Sequence, residues 1–305
     1  MENKLPNLIP LIPEVFVLVI ALITLLTGAF ATKRRNIVYY LSLVALIIVA
    51  WLTWHVYSSY DAAHTVFTFN NSFVLDRLAV VLKLFIYLSV FLTFVYSRQY
   101  NDARNIPRNE FYVLALLSML GMMVLVSSHN FLTLFLGVEL LSLPTYAMVA
   151  MQRDKTRCVE AAMKYFVIGA LASGMLLYGL SMIFGATKSL DMITIAKIIA
   201  ATPANQHLIL IFGLVFVIAG VAFKIGAAPF HMWIPDVYDG APTSVTLFIS
   251  TAPKIAGFAL MIRLLVDTLP GLHVQWQELL IVISILSMAI GNFAAIVQTN
   301  IKRLL

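Results

Sequence analysis

The chain has 305 residues, of which 61% are hydrophobic and 11% charged, and its mean hydropathy is +0.94. Ordinary soluble domains carry about 25% charged residues, so this composition describes one polytopic helical bundle in a lipid bilayer and excludes a string of soluble domains. The formal net charge of +6 falls in short loops, where it serves topology and not nucleic-acid binding.

A hydrocarbon core of about 30 Å takes about 20 apolar residues per helix. Nine spans are predicted on that basis, at 9–31, 37–57, 74–96, 111–127, 131–151, 160–185, 206–228, 242–266 and 276–298. The first reads as a span and not as a cleaved signal, because Glu2 and Glu14 flank Lys4 and the apolar stretch is too long. Lys33, Arg34 and Arg35 follow it, Arg98, Arg104 and Arg108 follow the third span, and Arg153, Lys155 and Arg157 follow the fifth. The intervening connections, 58–73 and 128–130, hold no Lys or Arg. The positive-inside rule therefore turns the amino terminus away from the cytoplasm. Lys83, well inside the third span after Asp76 and Arg77, is read either as buried or as reaching to the surface. The stretch 190–202 is too short to cross and is expected as an interfacial or loop helix. Ile301-Lys302-Arg303-Leu304-Leu305 reads as the start of a tenth helix cut short.

Several chemistries lack their residues. Cys158 is the only cysteine, which rules out an intrachain disulfide, a Cys-ligated iron–sulfur cluster and a CxxC redox motif. His55, His64, His129, His207 and His273 lie at predicted span ends or in loops, and His231 has no evident partner for a haem. No phosphate-cradling Gly-rich loop and no nucleophile elbow is present, so any electron transfer belongs to other chains.

Glu139, Lys164, Lys224 and Lys254 stand inside predicted spans. Each such group costs ~3 kcal/mol at the bilayer centre and marks, by default, a proton or ion pathway. Three have a proline close by. Pro144 cannot donate to the carbonyl of Leu140, one residue past Glu139. Pro253 precedes Lys254 and does the same to Ile249. Gly226 and Pro229 follow Lys224, so its helix is expected to break just beyond the ammonium. Irregular backbone at membrane depth lines cavities or is buried in protein, and transporters build midplane sites this way. The competing readings are structural: an ion pair of Glu139 with a lysine, and a surface pair of Lys164 with Glu160 four residues earlier. His231 is read as a proton relay or as a hydrogen-bonded loop residue. Burial disfavours a lysine's charged form and a nearby carboxylate restores it. A lysine whose surroundings change can therefore take a proton from one side and release it to the other.

The stretch Lys224-Ile-Gly-Ala-Ala-Pro-Phe-His231-Met-Trp-Ile-Pro-Asp-Val-Tyr-Asp-Gly-Ala-Pro-Thr243 resembles the signature of the antiporter-like subunits of respiratory complex I. Leu136-Gly-Val-Glu139-Leu-Leu-Ser-Leu-Pro144, Glu160-Ala-Ala-Met-Lys164-Tyr-Phe, Ala252-Pro-Lys254 and Gln298-Thr-Asn-Ile-Lys302-Arg-Leu-Leu carry the likeness along the whole chain. The resemblance implies an all-α polytopic membrane protein of about nine transmembrane helices, with one complete five-helix antiporter-like repeat and broken helices. It implies N-terminal helices at 1–109, the proton-translocation repeat at 110–268 and the start of a truncated second repeat at 269–305. Glu139 and Lys164 match the family's coupled acid–base pair, Lys224 the lysine of the broken helix, and His231 and Lys254 its central polar axis. No cofactor or metal is implied on this chain; NADH, FMN, iron–sulfur clusters and quinone are expected on partner subunits, within a cell inner membrane. The same fold also serves multisubunit cation/proton antiporters and membrane-bound hydrogenases, and a non-conducting structural subunit is the alternative from a different class.

Overall fold

With no water in the hydrocarbon region, an apolar run satisfies its backbone only within itself, as a helix. In the computed structural model, which describes residues 7–30, 36–60, 65–106, 108–203 and 207–304 (Arg108 by its backbone alone), nine helices are long and apolar enough to cross a membrane. The nine expected spans are therefore present among the described residues. Lys33, Arg34, Arg35, Glu2, Lys4 and His64 lie outside them.

In chain order the elements begin with α1 (Ile12–Phe30), α2 (Asn36–Ser58), the strands β1 (Val66–Thr68) and β2 (Phe73–Leu75), and α3 (Arg77–Ala103). They continue with α4 (Arg108–Val126), α5 (Phe131–Val149), α6 (Thr156–Thr187), α7 (Met192–Ala201), α8 (Leu208–Ile225) and α9 (Trp233–Gly240). Then come α10 (Thr243–Met261), α11 (His273–Val297) and α12 (Ile301–Leu304).

Three local features differ from the sequence reading, each for a physical reason. The third span starts at Arg77 because Asp76 caps it, its carboxylate accepting from Ala79 N. The residues just before it form an antiparallel hairpin pairing Val66 with Leu75 and Thr68 with Phe73. Its turn holds Phe69, Asn70 and Asn71 at positive φ, a conformation asparagine adopts more readily than most residues. The helices α5 and α10 continue through Pro144 and Pro253, each of which removes the helical donor of the carbonyl four residues earlier. Hydroxyls serve the carbonyls around Pro144: Ser142 donates to Val138 O, Thr145 to Ser142 O and Ser118 of α4 to Leu141 O at 3.0 Å. Only Lys224, of the three proline-flanked charges, stands at a helix end. The helix α10 instead changes its winding later, passing into a π-helical segment at Ile262–Thr268.

The described chain divides into two compact units, Met1–Met151 with Thr243–Ala256 and Gln152–Pro242 with Gly257–Leu305. In the first unit α4 is the most enclosed span. Glycine lets it lie against α5: a Cβ on Gly121 would stand 2.2 Å from Leu141 N, two residues from Glu139. In the second unit α6 and α8 meet the same way, a Cβ on Gly179 falling 2.6 Å from Gly213 O and one on Gly220 2.7 Å from Leu176 Cβ. Lipid tails are as apolar as leucine, so close van der Waals contact through small residues is what holds such helices together. The amphipathic α7, capped by Asp191 through Thr194 N, buries Met192, Ile195 and Ile199 against the π-helical segment and residues 270–272. No residue of α11 is buried by the described chain.

Candidate functional site

The second unit builds its polar centre around the break after α8. Lys224 occupies the last turn, where the negative end of the helix dipole favours a cation. Gly226, at φ 79°, ends the helix, and Gly226 N and Ala227 N both return to Ala222 O. Two further groups of the break are met by side chains. The Trp233 indole donates to Phe223 O at 3.2 Å, and Ala228 N donates to Ser287 Oγ of α11 at 2.9 Å. The Ala228–Pro229 bond is cis. The chain then turns through His231, whose Nδ1 is buried and meets no hydrogen-bond partner among the described residues.

An aromatic cluster fixes these pieces. Trp233 stacks on Tyr165 of α6 at 4.7 Å between centroids, touches Phe223 at 5.3 Å and meets Tyr238 edge-on at 6.3 Å. The ammonium of Lys224 lies 5.8 Å from the Phe223 ring centroid. Burial, with Tyr165 beside it, pushes the Tyr238 hydroxyl well above its usual pKa, so it acts as a neutral hydroxyl.

Lys164 sits beside this cluster and takes part in a charged cleft between α6 and α9. Its ammonium pairs with Glu160 and with Asp236, both at 2.8 Å, and its side chain is 43% exposed. The structural reading of a Glu160 pair is thus present, joined by a carboxylate from 72 residues away. Asp236 also meets Arg303 at 3.4 Å, and Asp239 accepts from Asn300 and Arg303. Lys302 donates to the carbonyls of Asp239 and Ala241, closing the end of α9. The approach of α9 to α6 is close, since a Cβ on Gly240 would lie 2.4 Å from Ala161 Cβ. Asp236, Asp239 and Arg303 were not singled out by the sequence reading; their partners are remote in the chain, and only the quoted motif, which contains both aspartates, hinted at them.

The first unit holds the other two residues. Glu139 is half-buried in the middle of α5, with Oε1 buried and meeting no donor among the described residues. Lys254 is half-buried in α10, directly after Pro253. Lys83, read as buried or surface-reaching, is fully buried and paired with Glu14 of α1. No group of three or more His, Cys, Asp and Glu suited to a metal ion occurs among the described residues.

A family model described as NADH:quinone oxidoreductase/Mrp antiporter, TM, matches residues 128–305. The chain belongs to that family. All five residues singled out above, Glu139, Lys164, Lys224, His231 and Lys254, lie inside the matched stretch of this antiporter-type chain. Among curated relatives, the NADH-quinone oxidoreductase subunit N of Coxiella burnetii is 68% identical over 305 residues, covering 100% of this chain and 63% of the relative. That of Herminiimonas arsenicoxydans is 52% identical over 304 residues, covering 98% and 61%. The chain thus spans about three-fifths of the length of the curated relatives it matches. A chain of respiratory complex I from Thermus thermophilus shares its fold with a TM-score of 0.77 and 29% identity, over 96% of this chain and 60% of that one.

Proposed function

We propose that this chain is a proton-translocating membrane subunit of an NADH-quinone oxidoreductase. The observation that carries the reading is Lys224: a half-buried residue in the last turn of α8, just before a helix break at which Ser287 and Trp233 meet the backbone of Ala228 and Phe223. The identity to curated relatives along the whole chain supports the assignment to a respiratory complex. Electron transfer from NADH to quinone takes place on partner subunits, which carry FMN and iron–sulfur clusters, and the assembly resides in the cell inner membrane.

In this reading Lys224 takes up and releases the moving proton, His231 with its buried Nδ1 relays it, and Lys254 and Glu139 carry it in the first unit. Lys164, held between Glu160 and Asp236, is the exchangeable partner on α6. Residues 110–268 form the translocating repeat, between the N-terminal helices of 1–109 and the beginning of a second repeat at 269–305. A charge moved across 100 mV is worth ~2.3 kcal/mol, less than two pKa units. Modest changes around a buried lysine therefore suffice once a partner supplies the driving energy.

The test is Lys224→Ala in the assembled complex, with protons moved per electron as the readout. A severalfold fall is expected. An unchanged ratio removes the transport role, and recovery of the chain from native membranes without peripheral redox subunits removes the assignment to an oxidoreductase.

A further inference from the structure

A second buried pair of ionisable groups lies in the first unit, apart from the residues used above. Glu14 stands in the first turn of α1 and Lys83 in the second turn of α3, and the ammonium donates to Glu14 Oε1 at 2.5 Å. The two residues are 4% and 0% exposed. Glu14 Oε2 is also buried, and no donor among the described residues reaches it. A carboxylate offers about four acceptor positions, so a group served on one oxygen by one ammonium is left with an open side.

The surroundings suit a site that changes its protonation. The ammonium lies 5.0 Å from the centroid of the Phe73 ring on β2. One turn along α3, the Tyr87 hydroxyl shares a 3.1 Å hydrogen bond with Thr53 of α2 and is within electrostatic reach of Glu14. The hairpin closes this end of the unit, with Val74 N donating to Ser127 O and His129 N to Ser72 O. Glu14 is five residues past Ile9, where this apolar span begins, so it lies toward the end of the span that carries the hairpin. A clamp between α1 and α3 does not call for ions, since apolar residues of similar volume hold helices together without the cost of burying charge.

We propose that Glu14 and Lys83 form a further proton-binding site, in which Glu14 Oε2 takes up a proton from the membrane face that carries the β1–β2 hairpin. On uptake an O–H bond forms at Oε2 and the carboxylate charge is lost. Lys83 keeps its contacts with Oε1, then a neutral acceptor, and with the face of Phe73. Release restores the ion pair. The charged or titratable groups toward this end of the adjoining elements include Tyr87, Asp76 and Arg77 on or beside α3, His55 and Tyr57 on α2 and His129 after α4. The role of the site in transport rests on the proton-translocating reading; the site itself does not.

Two measurements test it. Native membranes are treated with a hydrophobic carbodiimide, which modifies protonated buried carboxyls, and the Glu14 peptide is followed by mass spectrometry across pH. An adduct on Glu14 is expected, falling about tenfold per pH unit above its midpoint, as one titrating carboxyl requires. No adduct at any pH, or one independent of pH, overturns the proposal. The double variant Glu14→Leu/Lys83→Met replaces the pair by apolar packing and is expected to assemble but to move fewer protons per electron. Full pumping by that variant overturns the pair's role in transport; for the proton site itself, and if the variant does not assemble, the labelling decides. Should Lys224→Ala leave pumping intact while Glu14 still labels with that pH profile, the functional reading fails and the proton site stands.

Discussion

At the residue scale, the charges in this chain fall into two physical kinds. Lys83 is wholly enclosed and held by one carboxylate, whereas Lys164 is 43% exposed and shared between two. Half-exposed pairs gain little net free energy because water competes for both partners. Asp236→Asn is therefore expected to leave the melting temperature of the detergent-purified protein essentially unchanged; a large drop would mean that the cleft between α6 and α9 is closed to water. Lys83→Met, in contrast, strands a buried carboxylate and is expected to lower it clearly. The sequence placed both lysines in spans, yet it could not pair them, because Glu14 and Asp236 lie 69 and 72 residues away.

At the element scale, the helices are set by backbone contact through glycine. A Cβ on Gly121 would reach within 2.2 Å of Leu141 N and 2.6 Å of Leu140 C, and backbone cannot step aside as a flexible side chain can. Gly121→Ala is expected to destabilise by about 1–3 kcal/mol, the usual cost of overpacking, and to disturb Glu139 through the displaced α5. Gly174 on α6 has nothing within 4 Å of its virtual Cβ, so Gly174→Ala should be neutral or stabilising by up to about 1 kcal/mol. Thermal unfolding of the two variants side by side checks the contrast. Hydrophobic runs revealed that α4, α5, α6 and α8 exist; which glycines touch a neighbour is invisible in them. The prolines taught the same lesson. Pro144 and Pro253 each remove one helical donor, yet α5 and α10 continue through them.

At the scale of the whole molecule, orientation in the membrane follows from loop charge. Asn70, in the hairpin turn, and Asn105, just past α3, mark opposite ends of one spanning helix. In a Cys158→Ala background, Asn70→Cys is expected to react with a membrane-impermeant maleimide in intact cells, and Asn105→Cys only after the cells are opened. The reverse pattern would invert the topology drawn from Arg98 and Arg104. The apolar face of α11, including Ile281, Ile285, Phe293 and Ile296, is open among the described residues, and in a bilayer such a face meets lipid or another protein.

From the sequence alone came the class of molecule, the nine spans, the break after Lys224 and the family motif, because hydropathy, proline and glycine act over a few residues at a time. The tertiary structure alone decided the partners: Glu14 with Lys83, Asp236 with Lys164, Ser287 with the open backbone of the break, Gly121 against Leu141. Those contacts join residues on different helices, and helix pairing in a membrane depends on shape and on buried polar groups finding one another, which no local pattern in the chain encodes.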